Sequence, residues 1–491
     1  MTDAMLSAAP ELTVTDARLD GVASTAVAPE PAPSAPGSSP EESESDLDQP
    51  IRSGWLLKFA LPTIMSTVAM SSFGIIDGIF AARIIGPAAF ASTGIAFPLL
   101  SFFMAVGLML SIGGSALVAK RLGEGRSHEA RSIFTMLTVV TGGSAVVMSA
   151  FGLLFPDLLL AILGADAHLG PLVLEYVRPM LFVGPLMMLG FFMQQYFITE
   201  GKPNLGFAAV GVGGVVNIGL NFLLIWHLDM GLHGAALATG IGYSVPALFG
   251  VLYFSRNRRG TLYFIRPRWS ARELGQASVN GASEMVTMLA ISVTTVIMNN
   301  ILMETIGYQS VAAASIMFVG QNLLMSTFMG FATGIAPIIS FNYGAQNRDR
   351  LRRLFTRALW IIAGLAVAAI AAGWFLASPL TIIYVPRTTE IYSLAVHAFR
   401  ISLVGFIFMG VNMFASVMFT ALNNGVVSGI LSLFRTLIFL IGMLMLLPNL
   451  LGADGVWLSI PAAEALGVVM SLAFFAAMAK RYGYAGKAPT T

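Results

Sequence analysis

"GIAPIISFNYGAQNRDRLRRLF", residues 334–355, leaves an apolar run, makes a polar turn and enters the next apolar run through a cluster of arginines. Moved back by 221 residues, the same window reads "GGSALVAKRLGEGRSHEARSIF" (113–134) and follows the same course. Gly113 pairs with Gly334, Gly123 with Gly344, Arg131 with Arg352 and Phe134 with Phe355. The same offset joins Gly86 to Gly307, Ile95 to Ile316, Gly184 to Gly405, Thr199 to Thr420 and Gly234 to Gly455. One offset held without gaps over about 150 residues marks an internal repeat.

What repeats is a membrane unit. The 491 residues are 56% hydrophobic and only 11% charged, too few charges to cover the surface of a soluble chain. Apolar runs of about 20 residues recur, each long enough as a helix to cross roughly 30 Å of hydrocarbon. The polar breaks place spans at 56–80, 88–118, 131–155, 172–198, 206–228 and 234–254, then at 278–303, 309–338, 353–375, 392–420, 427–450 and 455–478. The expected fold is an all-α polytopic membrane protein of 12 transmembrane helices in two six-helix lobes. An even number of spans returns the chain to its starting side, so the lobes are parallel repeats about a pseudo-two-fold along the membrane normal. The expected division is a tail over 1–50, an N-lobe over 51–254, a basic linker over 255–277, a C-lobe over 278–480 and a short tail over 481–491.

The net charge of +2 hides two unlike parts. Residues 1–50 carry ten acids against Arg18 alone, a balance of −9, which leaves 26 Lys and Arg against 15 acids, or +11, for the remainder. That first segment is rich in Pro, Ala, Ser and acid and is expected to be disordered. Its basic counterpart carries no signal for nucleic acid, because the positive charge sits at helix ends. With the N-terminus inside, 21 Lys and Arg fall in inner segments, while Arg83 and Arg387 fall in outer loops and Arg178 and Arg400 near outer ends. The positive-inside rule then puts both termini in the cytoplasm and the chain in the inner or plasma membrane. Cysteine is absent, which excludes disulfides, thiolate metal sites and cysteine nucleophiles.

Three acids lie clearly within spans: Asp77, Glu284 and Glu464. A carboxylate at the bilayer centre costs roughly 2.5–3.5 kcal/mol on insertion scales, and such residues mark ion and substrate pathways. Asn217 and Asn221 are four apart and share a helix face, where they can bond to Asp77 or hold helices together. Arg435 can pair with one of the other acids. Met187, Met188 and Met193 on the fourth helix and Met409, Met413 and Met418 on the tenth either line an adaptable cavity or, as expected here, face lipid. Gly74 and Gly78 bracket Asp77 in a GxxxG, which predicts a close helix approach. The five histidines sit at ends or in loops without metal spacing, and Ser115 in "GGSA" has no deep histidine to activate it, so no enzyme is expected.

These residues resemble a known family. Residues 334–355 are similar to the segment that follows the eighth helix of MATE (multidrug and toxic compound extrusion) transporters, within the multidrug/oligosaccharidyl-lipid/polysaccharide exporter superfamily. "VVNIGLNFLLIWHLDMGLHGAALAT" (215–239) resembles the family's fifth-to-sixth helix signature, and "LPTIMSTVAMSSFGIIDGIFAARIIG" (61–86) its first helix, with Pro62 and Asp77 in place. "NNIL" (299–302) resembles one subgroup. The likeness covers about residues 55–480. It implies a coupling site of Asp77, Asn217, Asn221 and Thr239, with Glu284, Glu464 and Arg435 as secondary candidates in the C-lobe. The chain departs from the family at Asn221, where many members carry Asp. One carboxylate fewer weakens the case for Na⁺, because hard cations favour anionic oxygen.

The resemblance implies a cation-coupled antiporter, driven by H⁺ rather than Na⁺, that exports organic cations, drugs or other lipophilic compounds by rocker-switch alternating access. No cofactor and no resident metal are expected. The expected partners are a small organic or cationic substrate and the bilayer, with the chain acting as a monomer. Export of an endogenous metabolite, or flipping of a lipid-linked intermediate, is the alternative. A flippase needs a strongly cationic cavity for phosphate, and Arg435 is the single deep cation.

Overall fold

The computed structural model describes residues 51–80, 84–85, 87–164 and 170–484. The acidic segment 1–50, the end of the chain from 485, and Arg83, Gly86 and His168 lie outside the described residues.

Among the described residues, twelve helices are long and apolar enough to cross a membrane. In the first half they are α1 (Ser53–Phe80), α2 (Pro87–Gly123), α3 (Ser127–Leu154), α4 (Gly170–Thr199), α5 (Pro203–Leu220, continued by a π-helical turn Asn221–His227) and α6 (Gly231–Arg256). In the second they are α7 (Ala271–Thr305), α8 (Tyr308–Gly344), α9 (Arg348–Tyr384), α10 (Glu390–Ser402, running on to Ala421), α11 (Gly425–Leu433, a π turn Phe434–Phe439, then Leu440–Leu451) and α12 (Ala453–Tyr482). The chain is a twelve-helix, two-lobed membrane protein, as the apolar blocks predict. The helices overrun their apolar blocks: α7 starts seven residues ahead of the expected 278, because the Ser270 hydroxyl accepts from the Glu273 N–H and caps it. Polar caps also start α9, where Asn347 accepts from Arg350, and α11, where Asn424 accepts from Val427. A short helix, Pro156–Leu163, follows α3 and was not anticipated; Pro156 opens it and left-handed Gly164 ends it.

Outward faces are apolar, as lipid contact requires: Phe182 is 81% exposed and Trp360 76%. Inside, one core joins α2, α3, α4 and α6 of the first lobe, and two further clusters join α8, α9, α10 and α12 of the second. The six methionines belong to these cores and are all 7% exposed or less, so the expectation that they face lipid is overturned. Apolar composition does not separate the two fates, since lipid and core are equally free of water. The close approach expected at Gly74 is also not made: a side chain there would meet nothing within 4 Å. The tight contact on this face comes from α5, where Gly214 leaves room for the Phe73 ring.

The lobes meet at the ends of α1, α2, α7 and α8 that lie on the side of the α6–α7 linker. Gly281 of α7 sits against the Met109 carbonyl of α2, and Gly330 of α8 against Ile64 and Thr67 of α1. The Thr67 hydroxyl also donates to the Ser326 carbonyl at 2.7 Å. The fold therefore holds the two lobes together on the linker side.

Candidate coupling site

α1 carries Asp77 one turn before its end, and α5 and α6 bring three donors to it. The Asn221 amide donates to Oδ1 at 2.7 Å and the Asn217 amide to the same oxygen at 3.1 Å. The Thr239 hydroxyl lies 2.8 Å from Oδ2 and 3.0 Å from the Ala235 carbonyl. Asn217 and Asn221 are 1% and 0% exposed, while Asp77 is half-buried. The four residues inferred from the sequence therefore form one cluster. Asn221 opens the π turn of α5, a departure from α-helical pitch that recurs at functional positions. Its Oδ1 is buried and has no partner.

Two residues that the sequence reading missed stand beside this cluster. The phenols of Tyr176 on α4 and Tyr243 on α6 are close enough to feel the charge of Asp77. Tyr243 also packs its ring on Phe191 at 5.3 Å and on Phe73 at 6.2 Å. Subtracting the repeat offset from Glu464 gives Tyr243, so one position is an acid in one lobe and a phenol in the other.

The secondary candidates also converge, at a different place in the second lobe. Arg435, on the π turn of α11, donates to Glu464 Oε1 at 3.2 Å. Asn412 of α10, another residue missed from sequence, donates to Glu464 Oε2 at 2.6 Å and to its carbonyl at 2.8 Å, and accepts from Ser471 at 2.9 Å. Arg435 also interacts electrostatically with Glu284, which is 5% exposed. The Nε of Arg435 is buried without a partner. The guanidinium pairs with Glu464 and acts on Glu284 only through space, and the repeat-related helices α5 and α11 each present their polar group from a π turn.

Among the described residues no group of three His, Asp or Glu could hold a metal ion. His397 is instead paired with Asp454 at 2.8 Å. Ser115 accepts weakly from Gln195 at 3.4 Å, a contact between helices.

Twelve spans in two repeat-related lobes, each with a buried polar cluster reached from several helices, define the architecture of a membrane transporter. The model of the family described as MatE matches twice, over residues 62–223 and 284–445, once in each lobe, and the chain belongs to that family, whose members are transporters rather than enzymes. The multidrug export protein MepA of Staphylococcus haemolyticus is 22% identical over 421 residues, covering 85% of this chain and 92% of its own. Its Staphylococcus aureus counterpart is 23% identical over 416 residues, covering 84% and 90%. Among solved structures, an outward-facing multidrug resistance MATE transporter superposes with a TM-score of 0.82 at 22% identity, over 88% of this chain and 96% of that one. A transporter of the same superfamily from Pyrococcus furiosus gives 0.83 at 21% identity, over 90% and 99%. These likenesses establish the shared fold.

Proposed function

We propose that the protein is a proton-coupled antiporter that exports organic cations, drugs or other lipophilic compounds across the plasma membrane. The observation that carries this reading is the Asp77 carboxylate, half-buried in a span and held by three donors from α5 and α6. Asp77, Asn217, Asn221 and Thr239 form the coupling site in this reading. Ionised Asp77 suits a cationic substrate; protonated Asp77 does not, and that competition is the minimum an antiporter needs. The donor set favours H⁺ over Na⁺. Both amides turn nitrogen toward the carboxylate, whereas a sodium ion requires oxygen there. The relatives named for multidrug export are consistent with this substrate class.

The Lys and Arg distribution supports cytoplasmic termini. With that orientation the linker side is the cytoplasmic side, and the lobe contacts there make this the cytoplasm-closed state of a rocker switch. The glutamate pair around Arg435 is a second, C-lobe candidate for coupling. Metabolite export remains an alternative of the same transport class. Flipping of a lipid-linked intermediate ranks below it, because Arg435 is already engaged by Glu464 rather than free to hold phosphate.

The test is efflux of a fluorescent organic cation from proteoliposomes, wild type beside Asp77→Asn, under an imposed pH gradient and then an imposed Na⁺ gradient. The expected result is transport driven by the pH gradient alone and lost in Asp77→Asn. Transport driven by Na⁺ and retained in Asp77→Asn would move coupling to Glu284. Failure of both gradients to move the dye would favour metabolite export.

A further inference from the structure

The arginine-rich segment between α6 and α7, the basic linker of the sequence, is bound along its length. The Glu200 carboxylate, in the turn between α4 and α5, accepts from the Thr261 N–H at 2.9 Å with one oxygen and from the Leu262 N–H at 2.6 Å with the other. Gly260 lies so close to Glu200 that a side chain there would collide with it. Arg131 of α3 donates from Nε to the Thr261 carbonyl at 2.8 Å and from a terminal nitrogen to the Tyr263 hydroxyl at 2.8 Å, with its guanidinium 4.2 Å from that ring. Leu262 is fully buried, and Phe264 stacks on Phe134 with ring centres 5.1 Å apart. Further along, the Ile265 N–H donates to Thr135, the Arg268 N–H to Ser132 and the Ser270 N–H to the Met136 sulfur.

All of these partners belong to the first lobe. They hold the chain from Gly260 to Ser270, and Ser270 is the cap of α7. The other lobe does the reciprocal thing: Arg357 of α9 donates to the Ile51 carbonyl just ahead of α1, and Ile51, Leu56 and Phe59 pack in a second-lobe core with Leu351 and Leu354. Met136 and Arg357 are themselves 221 residues apart, so each third helix holds the start of the opposite lobe's first helix at the equivalent position.

We propose that residues 260–270 are a strap that is mechanically part of the first lobe, clasped by Glu200 and Arg131, so that the start of α7 is carried by the lobe it does not belong to in sequence. The linker is then not the hinge between lobes: any relative motion has to be taken up beyond Ser270, within the helices. A basic tether that merely spans the lobes needs none of these bonds. Its consequence for transport rests on the alternating-access reading above.

The absence of cysteine makes the test clean. Ser132→Cys with Arg268→Cys, bridged by a short bis-methanethiosulfonate, locks the strap to α3. Thr67→Cys with Ser326→Cys, bridged in the same way, locks α1 to α8 across the lobes. With the cation-efflux assay, the strap-locked protein is expected to retain at least half of the unbridged rate, while the lobe-locked protein loses at least tenfold and recovers on reduction. A tenfold, reduction-reversible loss in the strap-locked protein overturns the strap, because it shows that the segment must detach. Full activity in the lobe-locked protein overturns the rocker switch instead, so the two failures are separable.

Discussion

Gly123 and Gly344 face one another's lobe across the pseudo-two-fold: a side chain on Gly123 would strike the Phe341 carbonyl, and one on Gly344 the Lys120 carbonyl. Both pairs of partners are 221 residues apart. The obstacle in each case is backbone, which cannot rotate away as a side chain can. Gly123→Ala and Gly344→Ala should each weaken the linker-side closure by about 1–3 kcal/mol, the usual range for overpacking. At ~1.4 kcal/mol per decade this is a shift of roughly five- to 150-fold toward separated linker-side ends. Spin labels on engineered cysteines, one per lobe, should report a longer linker-side distance in either variant. The double variant should add little, because the first substitution already opens the shared contact. Unchanged distances in both singles would show that this contact does not hold the lobes.

Asn221→Asp tests why this chain carries an amide at the π turn of α5. The substitution places a second carboxylate 2.7 Å from Asp77, and oxygen where nitrogen now points. Two anionic oxygens suit a hard cation. The variant is therefore expected to show Na⁺-dependent protection from thermal unfolding that the wild type lacks, and to accept an imposed Na⁺ gradient in the efflux assay. Equal Na⁺ protection in the wild type would mean that the amides do not exclude the ion.

The fold was legible because its two determinants are one-dimensional. Apolar length reports membrane crossing, and a constant offset reports the repeat. The Asp77 cluster was half legible: Asn217 and Asn221 share a face at four-residue spacing, but their meeting with Asp77 joins residues 140 and 144 apart. Tyr176 and Asn412 left no signal, since each enters its cluster from another helix without a spacing rule, and Tyr243 was within reach only through the repeat offset from Glu464. The binding of the strap was not legible for a different reason. Its arginines announce solvent, while the bonds that fix it are made mainly by its backbone N–H groups, which sequence does not distinguish.

The second-lobe ion pair carries its own prediction. Arg435 is 8% exposed and Glu464 7%, so removing either partner leaves a buried charge uncompensated. Arg435→Met should destabilise most, by about 3–5 kcal/mol, because it strands Glu464 and removes the countercharge felt by Glu284. Adding Glu464→Gln should recover part of that loss, since the Asn412 amide can still donate to a neutral side-chain oxygen. Thermal unfolding of the purified singles and the double checks this. A double variant less stable than Arg435→Met alone would count against the pair as a charge-balancing unit.

Glu200 should make the strap respond to pH. Burial pushes its carboxyl up to about 7, against the opposing pull of the Leu262 and Thr261 N–H groups and of the Lys202 and Arg131 charges. A raised value means that the closed strap holds the protonated form better than the ionised one. Its contribution is therefore fully present below the ordinary 4.5 and is lost as pH rises through about 7. Within that window the change is at most ~1.4 kcal/mol per pH unit. Opening the strap returns Glu200 to water, so acid favours the closed position and alkali loosens it. Hydrogen exchange at the Thr261 and Leu262 amides, corrected for the intrinsic pH dependence of exchange, should show protection that falls between about pH 5 and 7 and then levels. Glu200→Gln should remove the slope while leaving Phe264, stacked on Phe134, protected. A slope that survives in Glu200→Gln would assign the pH response to another group, and a strap already unprotected at pH 5 would show that Glu200 is not its clasp.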